Sequence, residues 1–221
     1  MEINIIHLTD IHGADLQIHK IGKELSLADV IVVSGDITHF GREKEAGQII
    51  TNICHYNNKV LAVPGNCDYS EVDVFLSERK INLNRKQVEF GGLVFCGLGG
   101  SLPCPGYTPC EFTDNEADKW LTGMKITRFS EKPVIFVSHQ PPFNTTNDRL
   151  TKGDHVGSRS VRKFIELSTP VLCLTGHIHE GTGIDSIGNC KIVNPGPLLS
   201  GNYASIHIKP DRSAKINLKK I

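Results

Sequence analysis

Two imidazoles one residue apart, His177 and His179, follow an apolar run at 171–174 and a Thr-Gly pair. The same arrangement, an apolar run ending on groups able to hold a cation, recurs four times upstream. Asp10 and His12 follow the run 3–8. Asp36 follows the run 29–34 and Gly35. Asn66, Cys67 and Asp68 follow the run 59–64 and Gly65, and His139 follows the run 133–138.

The ligand candidates Asp10, His12, Asp36, Asn66, His139, His177 and His179 form a mixed oxygen and nitrogen set with no obligatory thiolate. Such a set suits borderline divalent ions such as manganese, iron or zinc rather than a closed structural zinc site. Seven donors are too many for one ion with an open position. They suit two ions sharing a carboxylate, an arrangement that clamps the attacking and leaving oxygens of a phosphoryl displacement.

These residues must be brought together from across the chain. The apolar runs, which include 93–98 and 171–175, are short, rich in Val and Ile and nearly continuous, as strands buried on both faces are. Amphipathic segments lie between them at 14–27, 42–56, 114–126 and 158–167, the last opening on Ser158 as N-cap. Strands alternating with helices predict an α/β protein. If the strands are parallel, all five polar groups meet at one edge of one sheet, where open α/β sheets bind ligands. The last third carries the β-like runs 190–197, 203–208 and 214–218 with no helix between them. It predicts an antiparallel finish or a second sheet. The long loops 99–113 and 140–157 are candidates to set specificity.

Composition narrows the class. The chain has 221 residues, 39% hydrophobic and 22% charged, which fits a single domain over 1–221 with a substantial core. Lys plus Arg and Asp plus Glu are both 24, so no basic stripe favours an extended nucleic acid or a membrane surface. Seven cysteines without a C-x-x-C pair fit a reducing cytoplasm better than a disulfide scaffold. No signal peptide or membrane span is expected.

The series D-x-H, G-D, G-N-x-D, H and G-H-x-H, in that order, resembles the calcineurin-like metallophosphoesterases, and "VNPGP" at 193–197 resembles a segment those proteins carry shortly afterwards. The resemblance implies a two-sheet sandwich flanked by helices. It implies one ion on Asp10, His12, Asp36 and His179, and another on Asp36, Asn66, His139 and His177, with Asp36 shared. Manganese is the first choice of ion, with iron, zinc, nickel or magnesium as alternatives. A hydroxide between the ions would attack phosphorus in line. The implied substrate is a small phosphoester, a nucleotide among the candidates. The alternatives are a phosphomonoesterase acting on nucleotides or proteins, and a metal-binding scaffold; a homo-oligomer stays open.

One departure matters. Many members place His where this chain has Cys67, and that His contacts the phosphate and is a candidate proton donor. A thiol is a weak donor. Cys67 and Asp68 therefore stand as catalytic candidates of doubtful type, and the resemblance to G-N-C-D relatives points to a phosphodiesterase slow on poor leaving groups. His155, His39 and Arg149 are the loop residues that could supply a proton instead. His7, His19, His55 and His207 read as structural or surface residues, and Phe112, Trp120 and Tyr107 as packing.

Overall fold

A computed structural model describes residues 2–126 and 132–221. Eleven strands and six α-helices are present among them. The first sheet contains β1 (Ile3–Leu8), β2 (Val30–Ser34), β3 (Val60–Val63), β10 (Asn202–Ile208) and β11 (Ala214–Lys220), in the order β11-β10-β1-β2-β3. The second contains β4 (Gln87–Phe90), β5 (Leu93–Leu98), β6 (Val134–Ser138), β7 (Leu172–Thr175), β8 (Gly183–Ile187) and β9 (Cys190–Asn194), in the order β4-β5-β6-β7-β9-β8. β1, β2 and β3 pair in parallel, as do β5, β6, β7 and β9, and the remaining pairs are antiparallel.

The helices are α1 (Asp15–Lys20), α2 (Gly22–Leu27), α3 (Glu43–Tyr56), α4 (Ser70–Glu78), α5 (Asp114–Gly123) and α6 (Arg159–Ser168). α1 to α4 cover the outer face of the first sheet, with Ala46, Ile49, Ile50 and Ile53 of α3 turned inward. α5 and α6 cover the second sheet through Ala117, Leu121, Val161, Phe164 and Ile165. Ile5, Val32, Val63, Phe95, Val137 and Leu174 fill the space between the sheets. Burying each such side chain contributes about 1.5–3 kcal/mol, which explains the continuous apolar runs: each central strand has a core on both faces.

The architecture is therefore the expected α/β sandwich of two sheets flanked by helices, with three differences in detail. The polar strand ends do not share one sheet edge. β1, β2 and β3 deliver theirs from the first sheet, β6 and β7 from the second, and the site lies where the two sheets' carboxyl ends adjoin. The segment 14–27 is two short helices broken at Ile21, and Gly22 beyond the break lies against Tyr56, where a Cβ would come within 2.4 Å of the ring. α4, β4 and β8 add elements that the hydrophobic runs did not reveal. Their half-exposed or short sequences carry weak periodicity. The N-caps behave as their residues suggest: Ser158 accepts from Val161 N, and Thr113 and Glu116 close a reciprocal box on α5.

Candidate metal centre

The loop after β1 is laid against the loop after β2 by backbone bonds, Asp10 N to Gly35 O, His12 N to Asp36 O and Gly13 N to Ile37 O. Asp10, His12 and Asp36 all adopt left-handed backbone conformations, with φ of 49°, 46° and 48°, and His177 does so at 67°. For residues with a Cβ this conformation is uncommon and costs free energy, and it concentrates at functional sites. Here it turns four of the candidate ligands into one space. Two glycines permit the closeness. A Cβ on Gly65 would fall 2.0 Å from Asp36 Oδ1, and one on Gly176 would fall 1.9 Å from Thr9 Oγ1 and 2.6 Å from Asp10 Oδ2.

All seven candidate ligands meet here. Asp36 divides its oxygens, Oδ1 lying 3.5 Å from His139 Nε2 and Oδ2 lying 3.5 Å from His12 Nε2. His179 Nε2 is 3.3 Å from Asp10 Oδ1, and His139 Nε2 is 2.9 Å from Asn66 Oδ1. His177 packs against His139 with ring centroids 5.1 Å apart, and its backbone N–H donates to Asp10 Oδ2. Thr9 Oγ1 donates to that same oxygen. Asp10 Oδ1, by contrast, is buried with only imidazole nitrogens near it, His179 Nε2 at 3.3 Å and His12 Nε2 at 4.0 Å.

The protonation of the set is governed by its own charges, and a cation bound at His139 would have to displace a proton. Burial opposes charge on Asp10 and Asp36, yet facing imidazoles outweigh it and hold both carboxyls below their ordinary range, His179 and His139 for Asp10 and His139 and His12 for Asp36. Burial lowers His12 and takes His177 down to about 4, so both imidazoles are neutral. His179 is raised by its Asp10 partner. His139 is raised to about 9, because Asp36 and Asp10 overcome its burial. Its Nδ1 points at Ser34 O, 2.8 Å away, which reserves Nε2 for the centre.

The donor set fits two divalent ions. Two N or O ligands bonded to one ion at about 2.0–2.2 Å lie roughly 3–3.5 Å apart, and the His–Asp contacts of 3.3–3.5 Å fall in that range. Asp10, His12 and His179 can converge on one ion, and Asp10, Asp36 and His139 form an adjoining group.

The catalytic candidates fare differently. Cys67 is buried among Asp36 and His12, its N–H donates to Asp36 Oδ1, and burial and Asp36 push its thiol well above the usual range. Asp68 has no imidazole to orient. Its fully buried carboxylate accepts from Gly65 N, Ile37 N, Thr38 N and Thr38 Oγ1, tying the third strand end to the second. Burial first, then Asp36, raises it to about 6. The contacts that the structure gives Asp68, a catalytic candidate in the sequence, are those of a loop tie. His155 donates from Nδ1 to buried Asp148 at 2.7 Å and packs on Phe143, contacts that stay within its own loop. No contact between His155 and the candidate ligands is seen among the described residues. His39 stands edge-on to His12, ring centroids 5.6 Å apart. Cys104 is a neighbour that the sequence did not single out, its Sγ 3.6 Å from His177 Nε2.

The two-sheet sandwich brings an acid–imidazole cluster able to hold a metal to its strand ends. The chain belongs to the calcineurin-like phosphoesterase family, whose sequence profile matches residues 3–181. It is 42% identical over 200 residues to an uncharacterised protein of Methanocaldococcus jannaschii, covering 88% of each chain. A Thermus thermophilus structure superposes with a TM-score of 0.73 at 18% identity, over 98% of this chain and 99% of that one. An archaeal phosphodiesterase superposes with a TM-score of 0.51 at 12% identity, over 98% and 100%. At such identities the superpositions show the fold. Among the described residues, no helix is long and apolar enough to cross a membrane.

Proposed function

We propose that this chain is a dinuclear metal-dependent phosphodiesterase for small phosphoesters, nucleotides among them. The observation that carries the reading is the convergence of lone pairs at His139. With Nδ1 given to Ser34 O, Nε2 faces Asn66 Oδ1 and Asp36 Oδ1, a cluster of lone pairs that a bound cation would satisfy.

Asp10, His12, Asp36 and His179 would hold one ion, and Asp36, Asn66, His139 and His177 the other. Bound there, manganese or a similar divalent metal would supply Lewis acidity for activating water and neutralising charge on the phosphoryl group. Asp36 turns Oδ2 toward His12 and Oδ1 toward His139, so it would contribute to both sites. Ser34 O and the Asp10 carboxylate keep His139 and His177 in register through Nδ1 and the backbone N–H. Thr9 Oγ1 restrains Asp10 in turn. Cys67, protonated at neutral pH, offers the leaving oxygen only a weak donor, so good leaving groups are favoured. A cavity of about 250 Å³ beside His12, bordered by Asp15, Thr38, His39, Glu45 and Gln48, gives room for an organic arm of the ester. Seven unpaired cysteines support a reducing compartment, the cytoplasm, and the balanced charge supports a small substrate over an extended nucleic acid.

The test is hydrolysis of bis-p-nitrophenyl phosphate against p-nitrophenyl phosphate, using protein stripped by chelator and reloaded with manganese or zinc. Faster diester cleavage that returns with metal supports the reading. Two bound ions without turnover of either ester would make the chain a binding module.

A further inference from the structure

Resting on the phosphodiesterase reading above, we propose that the cavity beside His12 selects a short, neutral polyol as the organic arm of the ester and rejects an arm that carries a second anionic group.

The cavity adjoins the metal centre directly. His12 faces Asp36 and Asp10 with Nε2 and is also part of the cavity wall. The volume of about 250 Å³ falls under the roughly 300–1,000 Å³ of pockets that enclose drug-sized ligands. It is a space for a few carbons and their substituents.

Three segments line it. Gly13 and Asp15 come from the turn into α1, Thr38 and His39 from the loop after β2, and Glu45, Gln48 and Ile49 from α3. Positions 45, 48 and 49 are three and four residues apart, so they share one helix face. That face sets buried Ile49 beside exposed Glu45 and Gln48. Asn52 of the same helix donates to Asp15 Oδ1 at 2.5 Å, which ties α1 to α3 and holds the Asp15 carboxylate at the cavity.

The chemistry of the lining is one-sided. Asp15 and Glu45 bring two carboxyl groups, and no Lys or Arg stands among the lining residues. The backbone N–H of Arg42 donates to Glu45 and holds its carboxyl below the ordinary range, so it is charged at neutral pH. The Arg42 guanidinium is engaged elsewhere, lying over the Tyr69 ring and pairing with Glu71. An anionic arm would therefore meet like charge. A hydroxyl would donate to a carboxylate instead, and such charge-assisted bonds are roughly twice as strong as neutral ones. Gln48 both donates and accepts, which matches the two roles of a hydroxyl. Ile49 and the His39 ring give the carbon chain an apolar surface.

Inhibition of bis-p-nitrophenyl phosphate hydrolysis by monoesters that differ only in their arm tests the assignment, with manganese-reloaded protein. Glycerol 3-phosphate should inhibit with a Ki at least about fivefold below that of n-propyl phosphate, the effect of one or two net hydrogen bonds. The Ki of 3-phosphoglycerate should lie above that of glycerol 3-phosphate, and Glu45→Gln and Asp15→Asn should each narrow that gap. Equal inhibition by the glycerol and propyl esters, tighter inhibition by phosphoethanolamine, or a gap unmoved by both variants would overturn the polyol assignment and leave the diesterase reading standing. No cleavage of the diester by the metal-loaded protein would overturn both.

Discussion

His139 Nε2 lies 2.9 Å from Asn66 Oδ1, and in a neutral ring neither atom carries a hydrogen to share, because the ring proton is committed to Ser34 O at Nδ1. Two acceptors held this closely in a buried place are satisfied by a positive charge between or upon them. In the metal-free state that charge is the proton that the carboxylates hold on His139. A divalent ion replaces it. This competition, and the loops that maintain it, make the centre testable residue by residue.

Gly176 controls one side of the centre. A Cβ there meets Thr9 Oγ1 at 1.9 Å and Asp10 Oδ2 at 2.6 Å, so Gly176→Ala must displace the Asp10 carboxylate. Affinity for the ion on Asp10, His12 and His179 should fall at least tenfold, equivalent to about 1.4 kcal/mol or more. Calorimetric metal titration reads this directly, and unchanged binding of both ions would show that Asp10 is not a ligand.

Asp68 should prove structural. Asp68→Ala leaves three buried backbone N–H groups and the Thr38 hydroxyl without their acceptor, each costing about 1–3 kcal/mol when unsatisfied. Chemical denaturation should show a loss of at least about 3 kcal/mol. In the surviving folded fraction, the dependence of rate on leaving-group pKa should match the wild type. A steeper dependence would return a proton-delivery role to Asp68.

Cys67→His should act in the opposite way. An imidazole donor at this position would contribute up to about 10²-fold on esters with poor leaving groups, and little on p-nitrophenyl esters. The ratio of rates for alkyl and nitrophenyl diesters is the observable. An unchanged ratio would mean that protonation of the leaving oxygen does not pass through this position.

His7 sets an acid limit on the metal-free fold. It is fully buried in β1, its Nε2 bonded to Ser34 Oγ at 2.7 Å, and burial takes its pKa from 6.5 to about 3 against the opposing pull of Asp10. The unfolded chain therefore binds a proton below pH 6.5 that the folded chain refuses until about pH 3. Stability from this residue is full above 6.5 and declines as pH falls through that window, by at most about 1.4 kcal/mol per unit. His7→Gln should flatten the decline between pH 6.5 and 4.5 by about 2–3 kcal/mol, measured by urea unfolding at both pH values. An identical slope in the variant would show that His7 is protonated in the fold.

Much of this centre is legible in the amino-acid order because each ligand is attached to the end of a buried strand. The Asp10–His12 and His177–His179 pairs announce themselves by local spacing, and Gly65 before Asn66 and Gly176 before His177 foreshadow the close approaches. The allocation of those strands to two sheets is not local. β1 and β6 read alike as apolar runs, and only long-range pairing assigns them to different sheets. Asp68 shows a second limit: an acidic residue in a catalytic motif cannot be told from a loop tie until its four donors are seen. Cys104 shows a third, since its neighbour His177 is 73 residues away along the chain and no spacing connects the 99–113 loop to it.

The most direct test of the central claim is metal stoichiometry read together with turnover in wild type and Asp36→Asn. Because Asp36 faces His12 with one oxygen and His139 with the other, the wild type should bind two ions per chain, with diester hydrolysis appearing as the second is taken up. Asp36→Asn should bind fewer than two and lose at least about 10³-fold in rate, roughly 4 kcal/mol of transition-state stabilisation. An Asp36→Asn protein that retains two ions and its turnover would contradict the shared-carboxylate centre.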